Sequence, residues 1–205
     1  MAYNRFTIES IKKTFGLKII GDVCLFEQTV PVEPSQVLIQ FLNRYLPLGS
    51  AIGTEKARSE FIIAPVLAEI TELTHHAVSL FSGVDFTVDE EQGLSGRCDF
   101  LFSASRGQYA IEAPVLAVVE AKNDNLNSGL GQCMAEMVAA RRFNDREEQP
   151  LDCIYGAVTT GSVWRFLRLQ NDCIHIDQRE YFIDNLPILL GILLEIVSGC
   201  QPHHL

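Results

Sequence analysis

The chain has 205 residues, 47% of them hydrophobic and 20% charged, and carries a formal net charge of -10. This length suits one domain with a buried core and is short for two, and the composition excludes a disordered or low-complexity chain. The acidic excess excludes a protein that coats nucleic acid by bulk positive charge, so a polyanion must be met by a local basic face or through bound cations.

The opening residues, Met1-Ala2-Tyr3-Asn4-Arg5, lack the apolar run of a signal peptide. Thr7 is expected to cap a helix to about Phe15, stopped by Gly16. Residues 17–30 read as two short strands around Gly21-Asp22, and residues 35–46 as a helix with apolar Val37, Leu38, Phe41, Leu42 and Tyr45, followed by a loop over 49–53. Thr54 then caps a long buried helix to about His75, kinked or broken at Pro65.

Strands are expected over 78–88, 97–103 and 115–122, with an acidic turn at 89–96. The last of the three is almost continuously apolar, as a strand covered on both faces should be. A polar, glycine-bearing stretch at 123–131 leads into a helix to about Asn144. Strands at 153–159 and 163–169 join around Gly161-Ser162, residues 173–177 read as an edge strand, and 186–197 as a buried terminal helix too short to span a bilayer. Together these give one α/β domain over residues 1–205: a mixed central sheet flanked by helices, with a helical and strand extension at its N-terminal end. A cytoplasmic location without a membrane partner is the expectation.

The six cysteines, Cys24, Cys98, Cys133, Cys153, Cys173 and Cys200, lack the short spacings of a zinc site and suit reduced, core-packing thiols. Gly129-Leu130-Gly131 lacks the lysine and serine or threonine of a phosphate-binding loop, and no glycine-flanked serine elbow is present. Trp164 is expected in the core. His75-His76 and His203-His204 read as polar termini rather than ligand pairs, and His175 as a non-catalytic strand residue. Arg141, Arg142 and Arg146 complement a helix dipole or form a phosphate-facing patch.

Chemistry is concentrated in two strands. In Val118-Val119-Glu120-Ala121-Lys122 an acid and a lysine two residues apart project from the same face, and Asp99 lies in the strand before. Two carboxylates and an ammonium at strand ends can hold a divalent cation and handle a water, although the same spacing suits an ordinary ion pair at a sheet end. The Ala121 carbonyl offers a third oxygen, and Lys122 is placed to deprotonate the water or to stabilise transition-state charge.

The ordered set of Glu60 in Ser59-Glu60-Phe61-Ile62-Ile63-Ala64-Pro65, Asp99, Glu120-Ala121-Lys122 and Gln132 in Gly131-Gln132-Cys133-Met134 resembles the PD-(D/E)XK nuclease superfamily. Gly156-Ala157-Val158-Thr159-Thr160-Gly161-Ser162-Val163-Trp164-Arg165-Phe166 is similar to a hairpin near the N-terminal nuclease modules of type I restriction endonuclease motor subunits. The resemblance runs from Glu60 to Phe166. It departs from the pattern at Cys98, where a proline often precedes the acid, and at Glu136, where one branch has an aromatic residue.

What the resemblance implies is a restriction-endonuclease-like core of order αβββαβ and a metal-dependent nuclease hydrolysing DNA phosphodiesters. Asp99 and Glu120 would ligate Mg²⁺ or Mn²⁺, and Glu60 would hold a second metal or its water. Lys122 would act on the attacking water, and Gln132 would position the lysine, a water or the substrate backbone. Gln132 also suits a plain helix N-terminal contact, and Glu60 an ion pair with Lys56. DNA, with RNA as a lesser option, is the expected partner, alongside a homodimer or partner proteins. The alternative is a catalytically silent nuclease-fold module that binds protein, which the net charge of -10 favours.

Overall fold

Strand β4 (Val115–Ala121) is buried along its whole length, and the rest of the chain is layered around it. The computed structural model describes residues 2–199. The sheet also contains β1 (Lys18–Val23), β2 (Ser79–Asp85), β3 (Arg97–Ser103), β5 (Cys153–Thr159), β6 (Val163–Gln170) and β7 (Cys173–Asp177). Their order is β1-β7-β6-β5-β4-β3-β2, with the two-residue β8 (Tyr181–Phe182) pairing beside β6. β2, β3 and β4 run antiparallel as a meander, and β4 and β5 are parallel, joined by the crossover helix α5 (Leu126–Arg146). Such a crossover is what a parallel pair requires.

The helices cover both faces. α5 and the N-terminal α1 (Ile8–Phe15) pack on one side, around Leu101, Val118, Met134 and Val158. On the other side lie α2 (Gln36–Ile52), α4 (Ala64–Leu73) and α6 (Leu186–Gly199), around Phe102, Val119, Trp164 and Phe166. Thr7 caps α1 with a reciprocal Thr7–Ser10 box, and Gly16 ends it in the left-handed region at φ 67°. Trp164 is buried as expected, its indole N–H donating to the Gly161 carbonyl at 3.0 Å.

Four expectations shift. Residues 17–30 hold one strand rather than two, because β1 runs through Gly21-Asp22 as the parallel outer neighbour of β7. β7 is therefore interior instead of an edge. The helix expected over 35–46 continues past Pro47 to Ile52 and absorbs the loop expected at 49–53, ending at Gly53 in the left-handed region. Gly49 makes this packing feasible, since a Cβ there would sit 3.0 Å from the Phe61 Cβ. The long helix expected over 54–75 is three pieces: α3 (Glu55–Arg58), a π-helical turn (Ser59–Ile63) and α4. Pro65 has no N–H to return to the preceding turn, and the wider turn accommodates that gap.

α5 is tied to β4 by Asn144, which is fully buried. Its Oδ1 accepts from the Val115 N–H at 2.7 Å and its Nδ2 donates to the Val115 carbonyl at 2.9 Å. Asn144→Ala leaves both backbone groups unpaired in the core and is expected to cost about 2 kcal/mol. Urea titration followed by circular dichroism measures this, and an unchanged midpoint would show that the pair contributes nothing.

Candidate active site

The sheet register sets four polar and apolar positions in one row. Phe100 faces Val119, and Leu101 faces Val118, across β3 and β4, so the next step places Asp99 opposite Glu120. Glu120 pairs with Val158 on β5, and Val158 pairs with Arg165 on β6. Residues opposed across strands share a face. Asp99, Glu120, Val158 and Arg165 therefore project toward the α5 layer.

Backbone contacts fix the acidic pair. Asp99 Oδ2 accepts the Ala121 N–H at 2.9 Å, which locks its carboxylate to the end of β4. The Lys122 N–H donates to the Thr159 carbonyl at 2.8 Å, so strand pairing carries on through the lysine. The Lys122 ammonium in turn pairs with Glu120 Oε1. The sequence places Asp99, Glu120 and Lys122 in one site, and they do lie together at one end of β3 and β4.

Helix α5 passes close over this point because two residues lack side chains. A Cβ on Gly129 would lie 2.7 Å from Val158 Cγ1 and 3.1 Å from the Cγ and Cε of Lys122. A Cβ on Gly131 would lie 2.2 Å from the Phe6 carbonyl oxygen. The Gly-Leu-Gly that fails as a phosphate loop thus serves close approach, to the lysine stem on one side and the N-terminal segment on the other. One turn on, Gln132 Nε2 donates to Glu136 Oε1 at 3.1 Å, and Glu136 is fully buried.

Burial governs the charges here. Glu120 is 1% exposed, and its Oε2 has no hydrogen-bond partner among the described residues. Burial first, then the Asp99 charge, push the Glu120 carboxyl up to about 8, against the opposing pull of Lys122. Glu136, whose Oε2 is equally unpartnered, is held well above the carboxylate range by burial and by Glu120. Burial works against the Lys122 ammonium, but Glu120, Glu55 and Asp99 outweigh it and hold its pKa above the ordinary lysine value. A lysine stabilised in its charged form is better suited to stabilising negative charge than to taking a proton.

The remaining expected residues lie elsewhere or act indirectly. Glu60 sits in the π turn with an exposed side chain, paired with Lys56 at 2.8 Å, the ion-pair alternative for this residue. The acid from this helical stretch whose charge acts on Glu120 and Lys122 is Glu55, at the start of α3. Arg58, one turn on, donates through Nη1 to the Thr160 carbonyl at 3.0 Å. Gln132 faces Glu136. Neither Glu55 nor Glu136 stands out in the sequence, since isolated acids are ordinarily solvated.

Arg141 bonds the Asn171 carbonyl, Arg142 pairs with Asp89 at 2.8 Å, and Arg146 bonds the Val88 carbonyl. These arginines lie about three to five helical turns from Gly129 and are engaged with loops there. His75 and His76 take positive φ after α4, and His175 pairs with Arg168 inside the sheet. His203 and His204, like Cys200, lie outside the described residues.

Among the described residues no group of three or more His, Cys, Asp and Glu side chains is arranged to hold a metal ion. Asp99 and Glu120 form a two-carboxylate set, which suits Mg²⁺ or Mn²⁺ with retained waters rather than a closed protein cage. The unpartnered, buried Oε2 of Glu120 fits such a cation, because a positive charge there would compensate the burial.

No family model matches the chain, and no curated protein matches it. Among solved structures, the DrdV–DNA complex aligns over 82% of this chain with 14% sequence identity and a TM-score of 0.46. The chain spans 14% of the length of that protein. No helix among the described residues is long and apolar enough to cross a membrane.

Proposed function

We propose that this chain is a metal-dependent nuclease that hydrolyses DNA phosphodiesters, built on a restriction-endonuclease-like core. The observation that carries the reading is the convergence of Asp99, Glu120 and Lys122 on one sheet face, with a buried Glu120 oxygen lacking any partner among the described residues. The order of α4, the β2–β4 meander, crossover helix α5 and parallel β5 supports the αβββαβ assignment.

Asp99 and Glu120 would hold the divalent cation in this reading. When bound, Mg²⁺ or Mn²⁺ supplies Lewis-acid polarisation of the phosphoryl group and activation of water. The Asp99 carboxylate is oriented by the Ala121 N–H, which would hold it in place for the cation. Lys122, charged and braced along α5 by Gly129, stabilises the negative charge that grows on the phosphoryl oxygens as water adds to phosphorus and the sugar oxygen departs. Gln132 bonds Glu136, whose buried carboxyl acts on the site through its charge rather than by contact.

The test is nicking of supercoiled plasmid by the wild-type protein with Mg²⁺ or Mn²⁺ and with chelator. Cleavage that needs the cation is expected. Calorimetric titration with Mn²⁺ should show binding that Asp99→Ala weakens at least tenfold. A wild type that binds no Mn²⁺ and cuts neither duplex nor single-stranded DNA would leave the silent, protein-binding module as the better reading.

A further inference from the structure

We propose that Arg165 is a substrate-binding residue that takes a DNA phosphodiester flanking the scissile one, and that Glu180 occupies its guanidinium fork in the absence of DNA. This subsite rests on the nuclease reading above.

Arg165 belongs to the same sheet row as Asp99 and Glu120, with Val158 between. Two strand spacings separate Arg165 from Glu120, about 10 Å. The side chain opens into a cavity of about 260 Å³ also bordered by Asp124, Asn127 and Thr160. Asp124 follows Lys122 by two residues, and Thr160 follows the Thr159 whose carbonyl binds the Lys122 N–H. The cavity is therefore continuous in chain with the end of β4 where the acids converge.

Arg165 Nη1 donates to Asn127 Oδ1 at 2.9 Å, and Nη2 pairs with Glu180. The Nε hydrogen is buried and has no acceptor among the described residues. A guanidinium presents five donors in a planar fork that matches a phosphate, so this arginine is oriented by Asn127 with capacity left over. Glu180 is the anionic one of its two partners. Its side chain is 38% exposed, and an ion pair of that kind is cheaply exchanged for a phosphate.

The exchange also accounts for the charge. A chain of net charge -10 cannot hold DNA by bulk attraction, so an arginine released from an internal acid at the site is the kind of local contact it needs. The arginines at the far end of α5 are committed to loop contacts and do not reach this cavity.

The experiment follows plasmid nicking at several salt concentrations, together with anisotropy of a fluorescein-labelled duplex in Ca²⁺. Arg165→Ala is expected to raise KM and the duplex Kd about tenfold with kcat within about twofold, and to reduce the salt slope of binding by about one. Glu180→Gln is expected to tighten duplex binding, which loss of a merely structural ion pair would not do. Thermal melts of both variants exclude unfolding as the cause. Wild-type cleavage with KM, Kd and salt slope unchanged in both variants overturns the subsite and leaves the nuclease reading standing. A wild type that neither binds duplex nor cleaves overturns both.

Discussion

Replacing Lys122 by methionine (Lys122→Met) is expected to slow Mg²⁺-dependent cleavage about 10³-fold, with the fold and Mn²⁺ binding retained. Methionine keeps the straight stem that lies along Gly129 and removes only the charged end. The size of the loss follows from the role: a fixed positive charge beside developing phosphoryl charge, in a site where burial weakens solvent screening. Because Glu120, once ionised, joins Glu55 and Asp99 in holding the ammonium in its charged form, the wild-type rate should show no limb from lysine deprotonation between pH 7 and about 9. Single-turnover nicking across that range measures both quantities. If the Lys122→Met protein cuts at the wild-type rate, this lysine has no part in the mechanism.

Raising the pH is expected to destabilise the metal-free protein, opposite to the behaviour of a protein whose carboxylates are ion-paired. Glu120 binds its proton in the folded state up to about 8, whereas its ordinary value is 4.5. Between those values the folded chain carries more protons than the unfolded one, so stability falls as pH rises. The contribution is complete below about pH 4.5 and is lost as pH passes through about 8, with Glu136 acting in the same direction. The loss is on the order of a few kcal/mol, or roughly 5–10 °C in Tm for a chain of this size. Melting curves in chelator from pH 5.5 to 8.5 test the slope. Mn²⁺ should restore Tm at pH 8.5, where the cation replaces the proton, and Glu120→Gln should flatten the chelator curve. A pH-independent Tm in chelator would contradict the buried, uncompensated carboxyl.

Asp99, Glu120 and Lys122 were legible because a strand has a period of two, and an acid and a lysine interrupting an apolar strand must share a face. The α/β character and most elements were legible from the same periodicities. Glu55 was not, because a helical period of 3.6 cannot be counted through the π turn at Ser59–Ile63, and the motif resemblance points to Glu60 instead. Glu136 registered only as a departure from a motif, since nothing local reveals that an acid on a helix will be wholly buried. Arg165 joins the row only once the register of β4, β5 and β6 is known, and register is a property of pairing between distant segments. The place of β7 inside the sheet failed for the same reason.

The outermost pairing of the sheet bears on how the chain is made. Parallel β1 and β7 join Lys18 to Cys173, so one of the first strands to be synthesised waits for one of the last. The strands that carry Asp99, Glu120 and Lys122, and β5 with the Thr159 pairing, all precede β7 in the chain. Long-range pairings of this kind are slow to form, and an unpaired strand edge is exposed to other chains meanwhile. The β1–β7 pair is therefore the sheet contact of longest sequence separation, and β1 is the strand left as an open edge wherever that pair is not formed.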